Sequence, residues 1–292
     1  MSKKSLVLRW EVAGQEAGQK LLVFLKSKME ASSNKELKKK IEANLCHVND
    51  KTERFASALL RKGDRVTFFN EPLAKLPLLT FELKRVLFED DHLLIYNKPV
   101  GFVCDKRSVD QLRKGLHLVH RLDKETTGVL IFAKDKANAD LMQEQFHQRI
   151  IRKSYLALVD KPFKQNNGLI ENYLGKISSY QGNSIYGAVT KDKGHLALTK
   201  WQAKVRGKKA TLVLAQPVTG RTHQIRVHLA GLGHPILGDY TYGKNFFCNY
   251  RPPRILLHAY QVQFSHPVTN EKLAVIAPIP VDFAEAKKIL IP

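Results

Sequence analysis

Apolar residues recur along this chain with two different periods, and the change between them divides it. Near the start, Leu37 and Ile41 stand four apart, the spacing that places two side chains on one helix face, while Lys35, Lys38 and Lys39 fall off that face. Ser33 followed three residues later by Glu36 forms a capping box, and Asn44 suits the left-handed position that ends a helix. An amphipathic stretch around Leu21 to Leu25 predicts a shorter helix ahead of it. Cys46-His47-Val48-Asn49-Asp50-Lys51 predicts a strand that turns at Asn49-Asp50. From Gly14 to about Phe69 the pattern therefore describes a small mixed unit.

Between Asn70 and Thr80 no period is sustained, and Pro72 and Pro77 interrupt the leucines, so a linker is expected there. Arg85-Val86-Leu87-Phe88 and Leu93-Leu94-Ile95-Tyr96 then predict strands about an Asp90-Asp91 turn. Further strand patterns lie at 128–133, 155–159, 210–215 and 261–264, and helical ones at about 137–148 and 222–232. The order is α+β and not a regular βαβ alternation. No internal repeat is visible. The expected division is a first domain over 1–70, a linker over 71–83 and a second domain over 84–292.

Charge changes the picture. Lys and Arg number 48 against 27 Asp and Glu, a formal net charge of +21, and the excess runs from Lys38-Lys39-Lys40 to Arg251 and Arg254 instead of sitting in one tail. A polyanionic partner such as nucleic acid fits this, although solubility alone could also account for it. Cys46, Cys104 and Cys248 form neither a C-x-x-C pair nor a zinc spacing. The Leu6-Val7-Leu8 run is far too short for a signal peptide or membrane span, so a reducing cytoplasm is expected, with no membrane partner.

The segment that most invites a chemical reading is His120-Arg121-Leu122-Asp123-Lys124-Glu125-Thr126-Thr127-Gly128, followed at once by the apolar Val129-Leu130-Ile131-Phe132-Ala133. A strand can anchor a carboxylate that its loop exposes in a cleft. On pattern alone, an ordinary Arg121/Asp123 surface ion pair fits equally well. His223, His228 and His234 follow no metal-ligand spacing and read as structural histidines.

H-R-L-D-x-x-T-[ST]-G is the signature of RluA-type RNA pseudouridine synthases, and this chain resembles that family along its whole second domain. The supporting blocks keep the family's order: Asn97-Lys98-Pro99-Val100-Gly101, Lys153-Ser154-Tyr155-Leu156-Ala157, Gly220-Arg221-Thr222-His223-Gln224-Ile225-Arg226-Val227-His228, Gly233-His234-Pro235-Ile236-Leu237-Gly238-Asp239 and Leu257-His258-Ala259. The first quarter resembles an S-four-type RNA-binding domain through Ser33, Ile41, Val48-Asn49 and Lys62-Gly63-Asp64-Arg65-Val66. The implied fold is a small mixed α/β RNA-binding domain followed by a mainly antiparallel-sheet catalytic domain.

The resemblance also implies a reaction, the isomerisation of uridine to pseudouridine in structured RNA. The bond from ribose to the ring nitrogen breaks, and the base rejoins through a ring carbon. A carboxylate can serve as nucleophile or base for this, with no cofactor and no metal. By match to the family, Asp123 is the catalytic aspartate, Arg221 the arginine that pairs with it, and Tyr155 the ring that packs on the target base. Arg121, Arg226, Lys38, Lys39 and Lys40 are expected to contact RNA, with Arg226 or His223 also able to reach the aspartate loop. Ribosomal RNA of the large subunit is expected over tRNA, and a monomer over an oligomer. The competing readings are a non-catalytic RNA-binding or ribosome-assembly factor and an N-glycosidic hydrolase, which would release free uracil. The chain departs from the family at Phe102-Val103-Cys104-Asp105, where His-Pro is common, and in a shorter loop from there to His120, so contacts of that loop are not carried over.

Overall fold

Alternating apolar positions turn the first part of the chain into four short strands backed by two helices: β1 (Val7–Glu11), α1 (Leu21–Lys28), α2 (Asn34–Glu42), β2 (Cys46–Val48), β3 (Lys51–Thr52) and β4 (Arg65–Phe69). This is seen in a computed structural model that describes residues 7–42, 45–53, 55–70, 80–180, 183–243 and 245–291. The strands pair antiparallel in the order β1-β4-β2-β3. Leu21, Phe24 and Leu25 of α1 and Leu37 and Ile41 of α2 close over Val66 and Phe68 of β4. The predicted turn is real. Asn49 and Asp50 carry φ of 52° and 62°, the pair of left-handed residues that a two-residue hairpin of type I′ requires.

Two local expectations need correction. The Ser33 hydroxyl does accept the Glu36 N–H at 3.1 Å, but the Glu36 carboxylate pairs with Lys40 Nζ at 3.0 Å. Lys40 is therefore not an RNA-facing cation. It is buried at 6% exposure, and its ammonium also donates to Asn70 Oδ1 at 2.6 Å and sits over the Phe68 ring. The helix turns it inward because it lies three residues from Leu37. Lys38 and Lys39 remain exposed. Asn44 and most of the expected linker, including Pro72 and Pro77, lie outside the described residues.

The second compact unit accounts for nearly all of the remaining chain. Its elements run β5 (Val86–Glu89), β6 (Leu93–Lys98), α3 (Lys106–Leu112), β7 (His117–Leu118), β8 (Thr127–Ala133), α4 (Lys136–His147), β9 (Arg152–Asp160), β10 (Asn167–Tyr180), β11 (Asn183–Val189), β12 (His195–Arg206), β13 (Ala210–Pro217), α5 (Gln224–Gly231), β14 (Leu257–Ser265), β15 (Lys272–Ile276) and α6 (Val281–Leu290). One sheet takes all eleven strands in the order β11-β10-β12-β13-β9-β14-β8-β6-β5, with β15 beside β14 and β7 beside β8. It is mainly antiparallel. The described exception is β8 against β14, parallel through Thr127 with His258 and Gly128 with Ala259.

All seven residues of β8 are buried, as its unbroken apolar sequence requires of a strand covered on both faces. Gly128, its second residue, has φ +112°, and a Cβ there would stand 2.1 Å from the Ala259 carbonyl oxygen. Only glycine lets the two strands approach there. The final glycine of the signature thus serves the strand pairing on which the aspartate loop hangs.

Burial also fixes the state of several histidines. His258 donates from Nε2 to the Ala277 carbonyl at 3.3 Å, which leaves Nδ1 to accept the Thr127 hydroxyl at 2.9 Å. Desolvation holds its pKa down at about 4, and likewise lowers His228 to about 4 and His120 to about 3. All three bind a proton less readily folded than unfolded. Their stabilisation is therefore complete above the ordinary histidine value near pH 6.5 and is lost as pH falls toward 4, by about 1.4 kcal/mol per pH unit for each group. Calorimetric Tm is expected to fall steeply from pH 7 to pH 5; a flat profile would mean that these rings are solvated.

Candidate active site

The loop between β7 and β8 presents Asp123, and it is held from several directions. Leu122 is buried among Tyr96, Phe102 and Leu130, while the Thr126 N–H closes a turn onto the Asp123 carbonyl at 3.0 Å. At the loop's entry, His120 Nε2 accepts the Ile131 N–H at 3.0 Å and its ring stacks on Phe146. That acceptance needs an unprotonated nitrogen, in agreement with the low pKa. At the other side, the Lys124 carbonyl accepts the Gly101 N–H at 2.8 Å.

Lys98 completes this frame. It ends β6 at 1% exposure, and its ammonium donates to the carbonyls of Pro99, Phe102 and Lys124 at 3.1, 3.0 and 3.2 Å. Desolvation lowers its pKa to about 8, against which Cys104 and then Asp123 act to favour the charge. One ammonium thus joins the segment after β6 to the residue next to Asp123. Lys98→Met is expected to lower stability by about 3 kcal/mol, since it strands buried carbonyls that a cation had satisfied, and to slow catalysis at least ten-fold while RNA affinity is kept. Urea unfolding with single-turnover kinetics tests this; a variant as stable as wild type would refute the role.

The departure noted at Phe102-Val103-Cys104-Asp105 has a structural answer. Phe102 is buried, Cys104 Sγ receives the Leu122 N–H at 3.5 Å, and Asp105 caps α3 by accepting the Ser108 N–H at 2.7 Å. That loop is tied to the aspartate loop through sulfur.

The guanidinium that reaches Asp123 belongs to Arg226, whose Nη1 lies 3.2 Å from Asp123 Oδ2. Its Nε and Nη2 form a fork onto Asp239 at 2.7 and 3.0 Å, and its plane lies over the Tyr242 ring. Burial would favour loss of its proton, but Asp239 and then Asp123 outweigh this and raise its pKa. Two sequence expectations change here. Arg221 is not the partner of Asp123: it precedes α5, and its Nε donates to the Leu196 carbonyl at 3.1 Å. Arg226, at 6% exposure, is bound by two carboxylates, so of its two expected roles it takes the one at the aspartate loop and is not free for phosphate. Because α5 begins at Gln224, Arg226 is carried inward on the helix.

His223 precedes that helix in the left-handed region at φ 57°, hydrogen-bonded through Nδ1 to the Tyr242 hydroxyl at 2.7 Å. Its Nε2 stands 3.9 Å from Asp123 Oδ2, too far for a hydrogen bond. Desolvation and then Arg226 push its pKa down. Of the other histidines singled out, His228 bridges Thr199 and Asn172, and His234 holds the Asp160 carbonyl. Among the described residues no cluster of metal-ligating side chains occurs.

Asp123 opens into a cleft of about 810 Å³. Tyr155 of β9 forms part of its wall, packed against the cores on both sides. Burial, then Asp123 and Cys104, raise the Tyr155 pKa, so its hydroxyl keeps its proton at neutral pH. Arg121 and Arg221 line the same cleft, as do Lys124, Arg149 and Lys153, whereas Asp123 is its sole carboxylate among the described residues. Desolvation lowers the Lys153 pKa to about 8. Lys98, Lys153 and Asp239 all stood inside sequence blocks already noted. What the sequence withheld was which polar atoms those blocks bring together.

A cleft with that balance of charge is built for an anionic substrate, and comparison with known proteins identifies which kind of enzyme carries it. A family model described as RNA pseudouridylate synthase matches residues 92–231. A ribosomal large subunit pseudouridine synthase C from Buchnera aphidicola subsp. Acyrthosiphon pisum is 39% identical over 223 residues, covering 69% of this chain and 69% of that protein. The protein of that name from Haemophilus ducreyi is 32% identical across 92% of this chain and 91% of its own length. Among solved structures, human RNA Pseudouridylate Synthase Domain Containing 1 superposes with a TM-score of 0.59 at 29% identity, covering 66% of this chain and 82% of that one. The chain belongs to the RNA pseudouridine synthase family, in its RluA branch, and is an isomerase.

Proposed function

We propose that this enzyme makes pseudouridine in ribosomal RNA of the large subunit, with Asp123 acting on the ribose of one uridine drawn into the cleft. The observation that carries the mechanism is Asp123 itself, a half-exposed carboxylate pinned by a buried arginine in a wall otherwise rich in cations. The ribosomal assignment rests on the names of the relatives. Asp123 either attacks the ribose carbon or removes a sugar proton as the bond to N1 breaks. The base then turns, C5 bonds to the ribose, and the proton displaced from C5 is balanced by one gained at N1. Nothing is oxidised or reduced, so no cofactor is called for. A base must leave its stack to reach such a site, and the role of receiving its face is assigned to the Tyr155 ring, which lines the cleft.

Arg121, Arg221 and Lys153 are assigned to backbone phosphates, where guanidinium and ammonium groups position RNA without reading it. Lys153 suits this because no carboxylate lies within ion-pair distance of it among the described residues. The first 70 residues are proposed to act as an S-four-type RNA-binding domain that offers Lys38 and Lys39, with 71–83 as linker.

The test is carbodiimide mapping of pseudouridine in ribosomal RNA and tRNA from cells lacking this gene, with and without the wild-type chain restored. One or a few large-subunit signals should vanish and return. Loss of tRNA signals alone would move the substrate to tRNA, and release of free uracil in vitro would turn the reading toward hydrolysis.

A further inference from the structure

Resting on the reading that RNA is the substrate, we infer that the catalytic unit carries a second RNA-binding site, away from the Asp123 cleft, that takes one single-stranded nucleotide between Phe247 and a ring of lysines. The site is a cavity of about 620 Å³, bordered by Phe163, Phe247, Leu232 and His234 and by Lys161, Lys164 and Lys208. That volume falls within the range of about 300–1,000 Å³ usual for a small-ligand pocket.

Its floor is rigid. Phe163 is 5% exposed, stacked on His234 at 3.6 Å between ring centres and tilted against Trp201 at 4.3 Å. The loop that carries it is fixed by Thr211, whose hydroxyl accepts the Phe163 N–H at 3.0 Å and donates to the Lys161 carbonyl at 3.0 Å. Arg206 binds the same loop through the carbonyls of Phe163 and Gln165, both at 2.8 Å.

A second phenyl borders the same cavity. Phe247 is 57% exposed, yet its backbone N–H is bound at 2.9 Å by Asp160, a carboxylate with no exposure of its own that also takes the Cys248 N–H. A lone exposed phenyl is ordinary on a protein surface. An exposed phenyl whose backbone is anchored by a buried carboxylate, bordering the same cavity as Phe163 and His234, offers a platform for a base, and single-stranded nucleic acids bind by such platforms combined with cations along the backbone.

The cations are present and unopposed. Lys161, Lys164 and Lys208 are exposed, none pairs with a carboxylate among the described residues, and no acidic side chain borders the cavity. An apolar pocket meant for a neutral partner would not need three free ammonium groups. His234 uses Nδ1 on the Asp160 carbonyl at 2.9 Å, and Nε2 has no hydrogen-bond partner among the described residues, so it is available to accept from a base edge.

Two elements connect this cavity to the catalytic cleft. Strand β9 carries Tyr155 and ends beside Lys161, so at about 3.3 Å per residue the two sites lie roughly 20 Å apart along it. Helix α5 carries Arg226 toward the cleft and is followed by Leu232 and His234 at the cavity. One RNA strand can therefore be gripped at two points on a single rigid frame, which would let sequence or shape beyond the target uridine influence selection.

The experiment measures the Kd of the full chain for a transcript of large-subunit ribosomal RNA across a salt series. It compares wild type, Phe247→Ala, and a variant combining Lys161→Glu, Lys164→Glu and Lys208→Glu, with pseudouridine formation at saturating RNA measured for each. Phe247→Ala should weaken binding at least about five-fold by loss of a base stack. The triple variant should flatten the slope of log K against log salt by about 2, as three lost contacts to a single strand predict. Both should form pseudouridine at the wild-type rate once RNA is saturating, which also shows that they fold. Unchanged Kd and slope, in an assay where wild type binds and modifies the transcript, would overturn this inference and leave the enzymatic reading intact. Normal binding to the transcript with loss only on assembled ribosomal particles would make the cavity a protein-docking surface and overturn it too. A wild-type chain that binds no RNA would sink both readings together.

Discussion

Single-turnover pseudouridine formation by Asp123→Asn is expected to run about 10³-fold slower than wild type or worse, with RNA affinity within about two-fold of normal. The amide keeps the size of the carboxylate and an oxygen that can still accept from Arg226 Nη1 at the 3.2 Å contact. It cannot attack a ribose carbon, and as a base it is negligible. Positioned acid–base or nucleophilic groups contribute about 10²–10⁴-fold, so a slowing of less than ten-fold would remove Asp123 from the chemistry. Unfolding should barely change. Arg226 retains both bonds to Asp239, and Asp123 is partly solvated, with a side-chain exposure of 26%.

Asp239→Ala should give the opposite profile, damaging the fold first and catalysis as a consequence. Asp239 has no exposure and neutralises a guanidinium that is itself buried, so removing it leaves a charge in the interior with one singly bonded, partly solvated partner, Asp123. Breaking a buried pair from one side costs about 3–5 kcal/mol. It also frees the N–H groups of Thr241 and Tyr242, which Asp239 Oδ1 accepts. Denaturant unfolding should show the loss directly, and the surviving folded fraction should be slow because Arg226 no longer has a fixed direction. Asp239→Asn, which keeps one acceptor oxygen but turns the other into an N–H donor and removes the charge, should fall between. If Asp239→Ala unfolds at the wild-type denaturant midpoint, the fork is not what holds Arg226.

The contrast between these residues shows where sequence reading ends. The signature loop and strand β8 were legible because seven successive apolar or small residues after a polar turn leave few alternatives to a covered strand. The Asn49-Asp50 hairpin was legible for a related reason, since the turn needs the residue types that tolerate positive φ. The long β10 was not, because its polar sequence, with Asn172, Lys176, Ser178 and Ser179, lacks a continuous apolar face. Strand β12 alternates cleanly only in its burial, and α3 and α6 each bury just two side chains, too few to set a period.

At the site the difficulty was register. Arg221 and Arg226 occupy one block five residues apart, and either could face the aspartate until the helix start is known. The same holds for Lys40, whose fate depends on which face of α2 meets Phe68. Residue type restricts a role to a few candidates; the direction of a side chain comes from elements distant in sequence.

Strand β8 carries one more implication, concerning the order in which the molecule comes apart. It lies inside the sheet with β6 and β14 on either side, so its amides should open to deuterium only with the whole unit. Strand β11 sits at the sheet's far margin and should exchange early. The aspartate loop is rooted in the slowest part, and a molecule already fraying at that margin would still hold its catalytic carboxylate in place.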